Sequence, residues 1–450
     1  MNTKWHLSEY NISAKIPEED KWVIVNTYSG TCTPMNAAYL YAMSELAELD
    51  EETPILKKLA QRGIITKENE LDSIISTALL ATGFPRGIGL TICPTLGCNF
   101  DCPYCFENHI SSKMDEKTMD GVVKFAERML VASGTKTMMV TWFGGEPLLA
   151  CDVIESLSDR LMRLCEEHDT RYTASIFTNG YLLDQKTADM LGRVKISHAQ
   201  ITLDGIGSTH DMTRHLAGGG ATFDRITDRL KNVKIPFRVN IRHNLHTKNV
   251  DESDALRDLV RELADKSGNV LKYYAKEVTE NEVADSRGCT ISTASFSDCT
   301  QAALRRDAEH FRKGLGRFCV INTLWSVTID PEGRLGKCWE NVDKPDQSFG
   351  NIYDWNPLNP IASSSTPDNL TKYLNTGVLY DDECLSCIWL PQCRGGCCHQ
   401  RLANNIKCVP YKDDPESFVR AVYAARKENV KKRNSAAGPK NTCQEKANAI

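Results

Sequence analysis

The chain has 450 residues, 41% of them apolar and 25% charged, ordinary proportions for a soluble globular protein of two or three domains. A formal net charge of −5 argues against a polyanionic partner such as nucleic acid, and no run approaches the roughly 18 apolar residues of a membrane span. The first residues, MNTKWHLSEYNIS, carry no secretory apolar run, so a cytoplasmic location is expected.

Residues 1–85 read as a small separate module. The segment 22–26 is β-rich but alternates poorly, 37–49 reads as an amphipathic helix, and a second helix over 54–62 leads into a short strand at 63–66. Strands with short helices predict a winged-helix-like fold, serving either as a packing extension or as a binding module.

From residue 86 to 276 the pattern is regular. Strand-like runs at 89–93, 137–143, 173–178, 199–203, 237–242 and 270–275 alternate with helical segments. In the clearest helix, Met119, Val122, Val123, Ala126, Met129 and Leu130 share one face, with Asp115 placed to cap it. Six such units predict an α/β fold, a parallel sheet curled by right-handed crossovers into an open, partial (β/α)6 barrel. In barrels of this kind chemistry gathers at the C-terminal ends of the strands. A bridging segment follows at 277–318, then a cysteine-rich region at 319–411. A last helix is expected over 417–430, within a terminal stretch, 412–450, that ends in a polar tail. Cys443 in that tail is given no role.

Cysteine is the outlier of the composition. There are 18, four of them between Cys93 and Cys105 and six between Cys384 and Cys408. In a reducing compartment, clustered thiols serve as metal or cluster ligands rather than disulfides. Cys98, Cys102 and Cys105 form a C-x3-C-x2-C loop just past the first barrel strand. Three thiolates can hold three irons of a [4Fe–4S] cubane and leave the fourth open to another ligand. A zinc knuckle is the bland alternative, but zinc favours four ligands.

This loop, with aromatic Tyr104 before its last cysteine, resembles the signature of the radical S-adenosylmethionine (SAM) superfamily. The resemblance implies that SAM chelates the open iron and is cleaved to a 5′-deoxyadenosyl radical. It also assigns the strand ends. Gly144, Gly145 and Glu146 after the second strand correspond to the site for the SAM amino group. Thr178 and Asn179 end the third strand and Asp204 the fourth, where polar groups meet the ribose or the carboxylate. Asn179 serves equally well as a turn cap. His210, Asp211 and Arg214 resemble a segment common in peptide-modifying members, with a salt-bridged loop as the alternative.

The second array runs Cys319, Gly333, Cys338, then Cys384-x2-Cys387-x5-Cys393-x3-Cys397 and finally Cys408. The turn at Asp330–Gly333 suits a hairpin returning Cys338 toward Cys319. These intervals resemble the SPASM extension, an iron–sulfur domain with two auxiliary [4Fe–4S] clusters, so three clusters are implied in all. A structural zinc ribbon is the alternative. The resemblance implies Cys384, Cys387, Cys393 and Cys408 for one auxiliary cluster, and Cys319, Cys338 and Cys397 for the other. Cys398 falls outside the pattern, and its side chain is expected to point away. Sulfatase-maturing relatives place a further cysteine shortly before the counterpart of Cys319, and here residues 311–318 contain none. Either Cys299 or Cys289 reaches in, or one iron stays open to a substrate thiolate.

The leading expectation is a maturase of a ribosomally made precursor peptide, forming cysteine thioether crosslinks, with residues 1–85 gripping a leader peptide. A flavodoxin or ferredoxin would supply electrons. The second is an anaerobic sulfatase-maturing enzyme that makes formylglycine. The third, from another class, is a non-catalytic iron–sulfur or zinc scaffold that binds peptides.

Overall fold

The computed structural model describes residues 4–46, 49–50, 52–84, 86–278, 303–305, 307–312, 319–404 and 408–436. Cys289, Cys299 and Cys443, and most of the bridging segment, lie outside the described residues.

The N-terminal region contains strands β1 (His6–Leu7), β2 (Asn11–Ile16), β3 (Lys21–Asn26) and β4 (Cys32–Met35). Helices α1 (Ala37–Ser44) and α2 (Pro54–Gln61), strand β5 (Ile65–Thr66) and helix α3 (Glu70–Gly83) follow. β2, β3 and β4 form an antiparallel sheet, and β1 pairs with β5. The poor alternation of β3 now has a reason: it is the central strand and both its faces are covered. Ile24 packs with Leu56, Leu59 and Ile64 on one side. Val23 and Val25 pack with Trp389, Phe418 and Val422 of the C-terminal region on the other. This corrects the expectation of a separate module, because the sheet shares a core with the chain's far end. Thr27 anchors the contact, donating to the Ile388 carbonyl at 2.6 Å and accepting from Gln392 through its own carbonyl at 2.6 Å. α1 is shorter than the expected 37–49, while β2, β4 and α3 were not expected at all.

The barrel alternates strands β6 (Ile88–Ile92), β7 (Thr137–Trp142), β8 (Arg171–Thr178), β9 (Ile196–Thr202), β10 (Arg238–Leu245) and β11 (Leu271–Glu277) with helices α4 (Glu116–Ser133), α5 (Cys151–Glu167), α6 (Gln185–Arg193), α7 (Ser208–Thr213), α8 (Phe223–Asn232) and α9 (Ser253–Ser267), α7 and α8 both falling between β9 and β10. All six strands pair in parallel in chain order, and β6 and β11 do not meet, so the barrel is open. α4 shows how the sequence makes its helices. Asp115 caps it by accepting from Thr118 N at 2.8 Å, Gly134 ends it at φ +62°, and Met119, Val122, Phe125, Ala126, Met129 and Leu130 are buried.

Strand β12 (Ser326–Ile329) continues the same sheet, parallel to β6, and turns back through β13 (Arg334–Gly336) to β14 (Gly350–Asn351). The turn is closed by the Gly333 N–H donating to the Asp330 carbonyl at 3.0 Å, with Gly333 at φ +78°, where only glycine is unstrained. The cysteine-rich region is thereby built onto the barrel sheet, and Cys338 emerges beside the barrel mouth. The cysteine-rich region includes the short helix α10 (Cys398–Leu402), and the long helix α11 (Pro415–Ala436) exceeds the expected 417–430 and packs on β2. Among the described residues no helix is long and apolar enough to cross a membrane.

Candidate active site

A cavity of about 340 Å³ opens at the C-terminal ends of the barrel strands. Cys98, Cys102 and Cys105 line it, with Tyr104, Gly144 and Gly145. The loop that carries the cysteines is held from behind. Glu146 N donates to the Gly97 carbonyl at 2.9 Å, and Asp101 N to the His215 carbonyl at 3.1 Å. The two glycines are needed for that packing. A Cβ on Gly144 would lie 2.2 Å from the Thr95 carbonyl oxygen, and one on Gly145 would lie 2.4 Å from that of Gly97. Their close approach is to the cysteine loop as much as to the cavity.

Glu146 is placed differently from the expectation. It is completely buried, away from the cavity wall, and both carboxylate oxygens accept bonds from the protein. Oε1 accepts from Leu148 N at 3.0 Å and Thr178 Oγ1 at 2.7 Å, and Oε2 accepts from Asn179 N at 2.7 Å. The side chain therefore ties the end of β7 to the end of β8. Thr178 and Asn179 line the cavity, and Asn179 also makes the turn weighed above, accepting from Tyr181 N at 3.0 Å.

Asp204 is likewise fully buried, beneath the cavity rather than in its wall. It accepts from the Tyr104 hydroxyl and from Thr213 Oγ1 at 3.1 Å. Tyr104 in turn accepts from Arg214 Nη1 at 3.0 Å and Asn244 Nδ2 at 3.2 Å. His210 is structural. Its Nδ1 accepts from Asp204 N at 3.1 Å, so Nε2 is the donor to Thr222 Oγ1, also at 3.1 Å. Burial lowers His210 to about 4, which fixes this neutral form. Asp211 caps α8, accepting from Thr222 N and Phe223 N.

Arg214 is the cation of the wall. It is buried, lies 5.6 Å from the Phe100 ring centroid, and its Nε has no hydrogen-bond partner. A buried guanidinium N–H without a partner is costly, and an anionic group in the cavity would satisfy it.

Sequence reasoning missed the aromatic side of the cavity. Phe143 stacks on Trp339 with centroids 5.4 Å apart, and Phe177 lies 5.7 Å from Phe143. Trp339 directly follows Cys338, so the second cysteine region contributes a wall to the first cavity. The signal was available: both phenylalanines sit at strand C-termini, and Trp339 adjoins a cysteine already singled out.

Burial raises the thiol of Cys98 to about 12 and those of Cys102 and Cys105 upward as well. Thiols this reluctant to ionise become thiolates when a metal displaces their protons. A second cavity, of about 190 Å³, is lined by Cys384, Cys387, Cys393 and Cys408 together. Arg401 reaches its edge, donating to Cys384 Sγ at 2.8 Å and to Asp381 Oδ2 at 2.6 Å. Cys319, Cys338 and Cys398 meet in a third place, with Ile321 and Tyr373. Cys397 is exposed beside it. This corrects the expectation for Cys398, which is buried toward Cys319 and Cys338 rather than turned away.

An open parallel α/β barrel has three cysteines at its mouth, a ligand-sized cavity over them and a buried cation whose free N–H suits an anionic group of a ligand. Residues 92–260 match the Radical SAM superfamily. A match to an enzyme superfamily, with enzymes among the relatives, goes against the scaffold reading. Over 377 residues the chain is 29% identical to the Fe-coproporphyrin III synthase of Methanosarcina barkeri, covering 72% of this chain and 86% of that one. It is 22% identical over 374 residues to a cysteine-type anaerobic sulfatase-maturating enzyme of Clostridium perfringens, covering 74% and 96%. The fold is also that of Streptococcus suis SuiB bound to the precursor peptide SuiA, with a TM-score of 0.50 at 15% identity, over 90% of this chain and 98% of that one.

The residues present fit a [4Fe–4S] cluster with SAM. Three thiols share one wall, the cavity beside them has room for a ligand, and the unpartnered Arg214 Nε matches a carboxylate.

Proposed function

We propose that this enzyme modifies a ribosomally made precursor peptide, joining a cysteine sulfur to a carbon of the same peptide in a thioether crosslink. The observation that carries this reading is the shared wall. Trp339, next to Cys338 of the auxiliary region, stacks on Phe143 over the cavity of Cys98, Cys102 and Cys105. An aromatic wall at the barrel mouth suits an apolar or aromatic peptide side chain. The peptide-bound SuiB, similar over most of this chain, supports a peptide substrate.

In this reading Cys98, Cys102 and Cys105 hold the catalytic cluster, and Cys384, Cys387, Cys393 and Cys408 hold one auxiliary cluster. Cys319, Cys338 and Cys397 contribute to the other. Gly144, Gly145, Thr178 and Asn179 present backbone and polar groups to SAM. Arg214 binds its carboxylate, held in place by Tyr104, Asp204 and Asn244. Glu146 fixes the loop carrying the glycines. When bound, the cluster and SAM would supply hydrogen-atom abstraction from carbon, and an auxiliary cluster would accept the second electron as the carbon–sulfur bond forms and the thiol loses its proton. The N-terminal sheet and helices bind the leader peptide, so that affinity remote from the reacting atoms positions the core peptide. A flavodoxin or ferredoxin delivers the electron.

The test is anaerobic co-expression with the short cysteine-rich reading frame nearest the gene, followed by mass spectrometry. Loss of a pair of hydrogens per crosslink, with thiols disappearing in step, is the expected result. Unchanged peptide, alongside conversion of a sulfatase peptide, would favour formylglycine formation, the reading that the Clostridium relative supports. Turnover of a tetrapyrrole carboxylate instead of either peptide would align the chain with the Methanosarcina relative.

A further inference from the structure

We infer that Cys398 is the fourth thiolate ligand of the auxiliary cluster held by Cys319, Cys338 and Cys397. The inference rests on the proposed reading of the C-terminal cysteines as cluster ligands. It answers a question left by the sequence, since residues 311–318 carry no cysteine to complete that set.

A buried cysteine is by default a small apolar packing group. Two others in this chain show what that default looks like. Cys165 sits in the barrel core against the Met138 sulfur at 3.8 Å, and Cys93 lies among Leu96, Phe143 and Val342. Cys398 has other company. It is 4% exposed, shares a cluster with Cys338, and has Cys319 packed against it. Its thiol hydrogen-bonds to the Cys319 sulfur and lies 3.1 Å from Asn322 Oδ1.

Local backbone explains how neighbours in sequence can serve one group. On a strand, adjacent side chains point to opposite faces. Cys397 is the extended N-cap of α10, at φ −82° and ψ 118°, and Cys398 is the helix's first residue. Cys397 is exposed and Cys398 buried, and a helix start does not impose the opposite facing that a strand would, so the two sulfurs can reach one group from its outer and inner sides. Ligation exchanges the thiol proton of Cys398, and its hydrogen bond to Cys319, for a bond to iron. Four protein thiolates then complete the cluster, with no iron left open for a substrate cysteine.

The experiment uses the full-length chain carrying C98A, C102A and C105A, which isolates the auxiliary clusters, reconstituted with iron-57 and sulfide without oxygen. The parent should bind about eight irons per chain, two cubanes' worth. Adding Cys398→Ala should give one cluster a distinct Mössbauer iron site and a three-iron EPR signal on mild oxidation. An added small thiol should restore the parent spectrum by filling the vacated position. Spectra identical to the parent would overturn the inference, as would the same change produced by C289A with C299A instead. A parent that binds no iron would overturn the cluster reading as well, so the two failures are distinguishable. Thiol alkylation of the wild-type chain, mapped by mass spectrometry, covers the case of a misfolded variant. Because Cys398 is buried, labelling is done in moderate denaturant, where Cys398 should be protected with Cys319 in the loaded protein and reactive with it after chelation. Equal reactivity in both forms would contradict ligation.

Discussion

The two larger cysteine-lined cavities are built on opposite plans. At the barrel mouth three cysteines share a wall with glycines, aromatic rings and a cation lacking one hydrogen bond, around about 340 Å³. In the C-terminal region four cysteines surround about 190 Å³, and the arginine at its edge is spent on Cys384, Asp381 and the Gly395 carbonyl. One site is short of ligands and keeps room beside them; the other is complete and paired. Under the proposed reading, that contrast matches what a catalytic cluster and an electron-transfer cluster would require: open coordination for a reacting ligand, and enclosure for a group that changes only its charge. The cavity with the unsatisfied cation is where binding energy remains to be gained.

Breaking the open site should have the largest effect. C98A with C102A and C105A should remove about four irons per chain and reduce 5′-deoxyadenosine formation to background, read by iron assay and chromatography. Gly144→Ala comes next, because its Cβ would be driven into the Thr95 carbonyl and its φ is +110°. A loss of about 3–5 kcal/mol is expected from overpacking and backbone strain together, measurable by denaturant unfolding. Arg214→Ala should weaken SAM binding about 10- to 100-fold, the worth of a charged hydrogen bond of about 1.5–3 kcal/mol. The paired Arg401→Ala should leave SAM affinity untouched and shift the spectrum of the second site instead.

The smallest effect is on pH dependence. His210 titrates at about 4 in the folded chain against 6.5 unfolded. Between those values the unfolded state binds the extra proton, so stability is full above pH 6.5 and falls as the pH drops toward 4. The slope is at most about 1.4 kcal/mol per pH unit for one group. Thermal melts at pH 5 and 7 should show it, and His210→Gln should reduce it, the remainder coming from His243, which burial also lowers to about 4.

The barrel was legible because its strands carry β-branched and aromatic runs separated by helix-length segments, the clearest of which, α4, carries one apolar stripe. The ends of observed β6 and β7 fall within one residue of the expected ones. The N-terminal sheet was not, because β3 is covered on both faces and loses the alternation that marks a half-buried strand. Within the site, spacing could say that Cys384, Cys387, Cys393 and Cys408 belong together. It could not say which way a side chain points. Glu146 follows two glycines at a strand end, yet turns inward to Thr178 and Asn179. Cys398 was set aside because it falls outside the spacing pattern, whereas the chain begins a helix there and buries it beside Cys319 and Cys338.

The account depends most on the three-cysteine site being open to SAM, and Mössbauer spectroscopy of the reconstituted wild-type chain, with and without SAM, tests this most directly. One iron subsite shifting on SAM addition, with the shift abolished in the C98A, C102A and C105A variant, is the result predicted. Spectra indifferent to SAM in a chain that carries its full iron complement would contradict it.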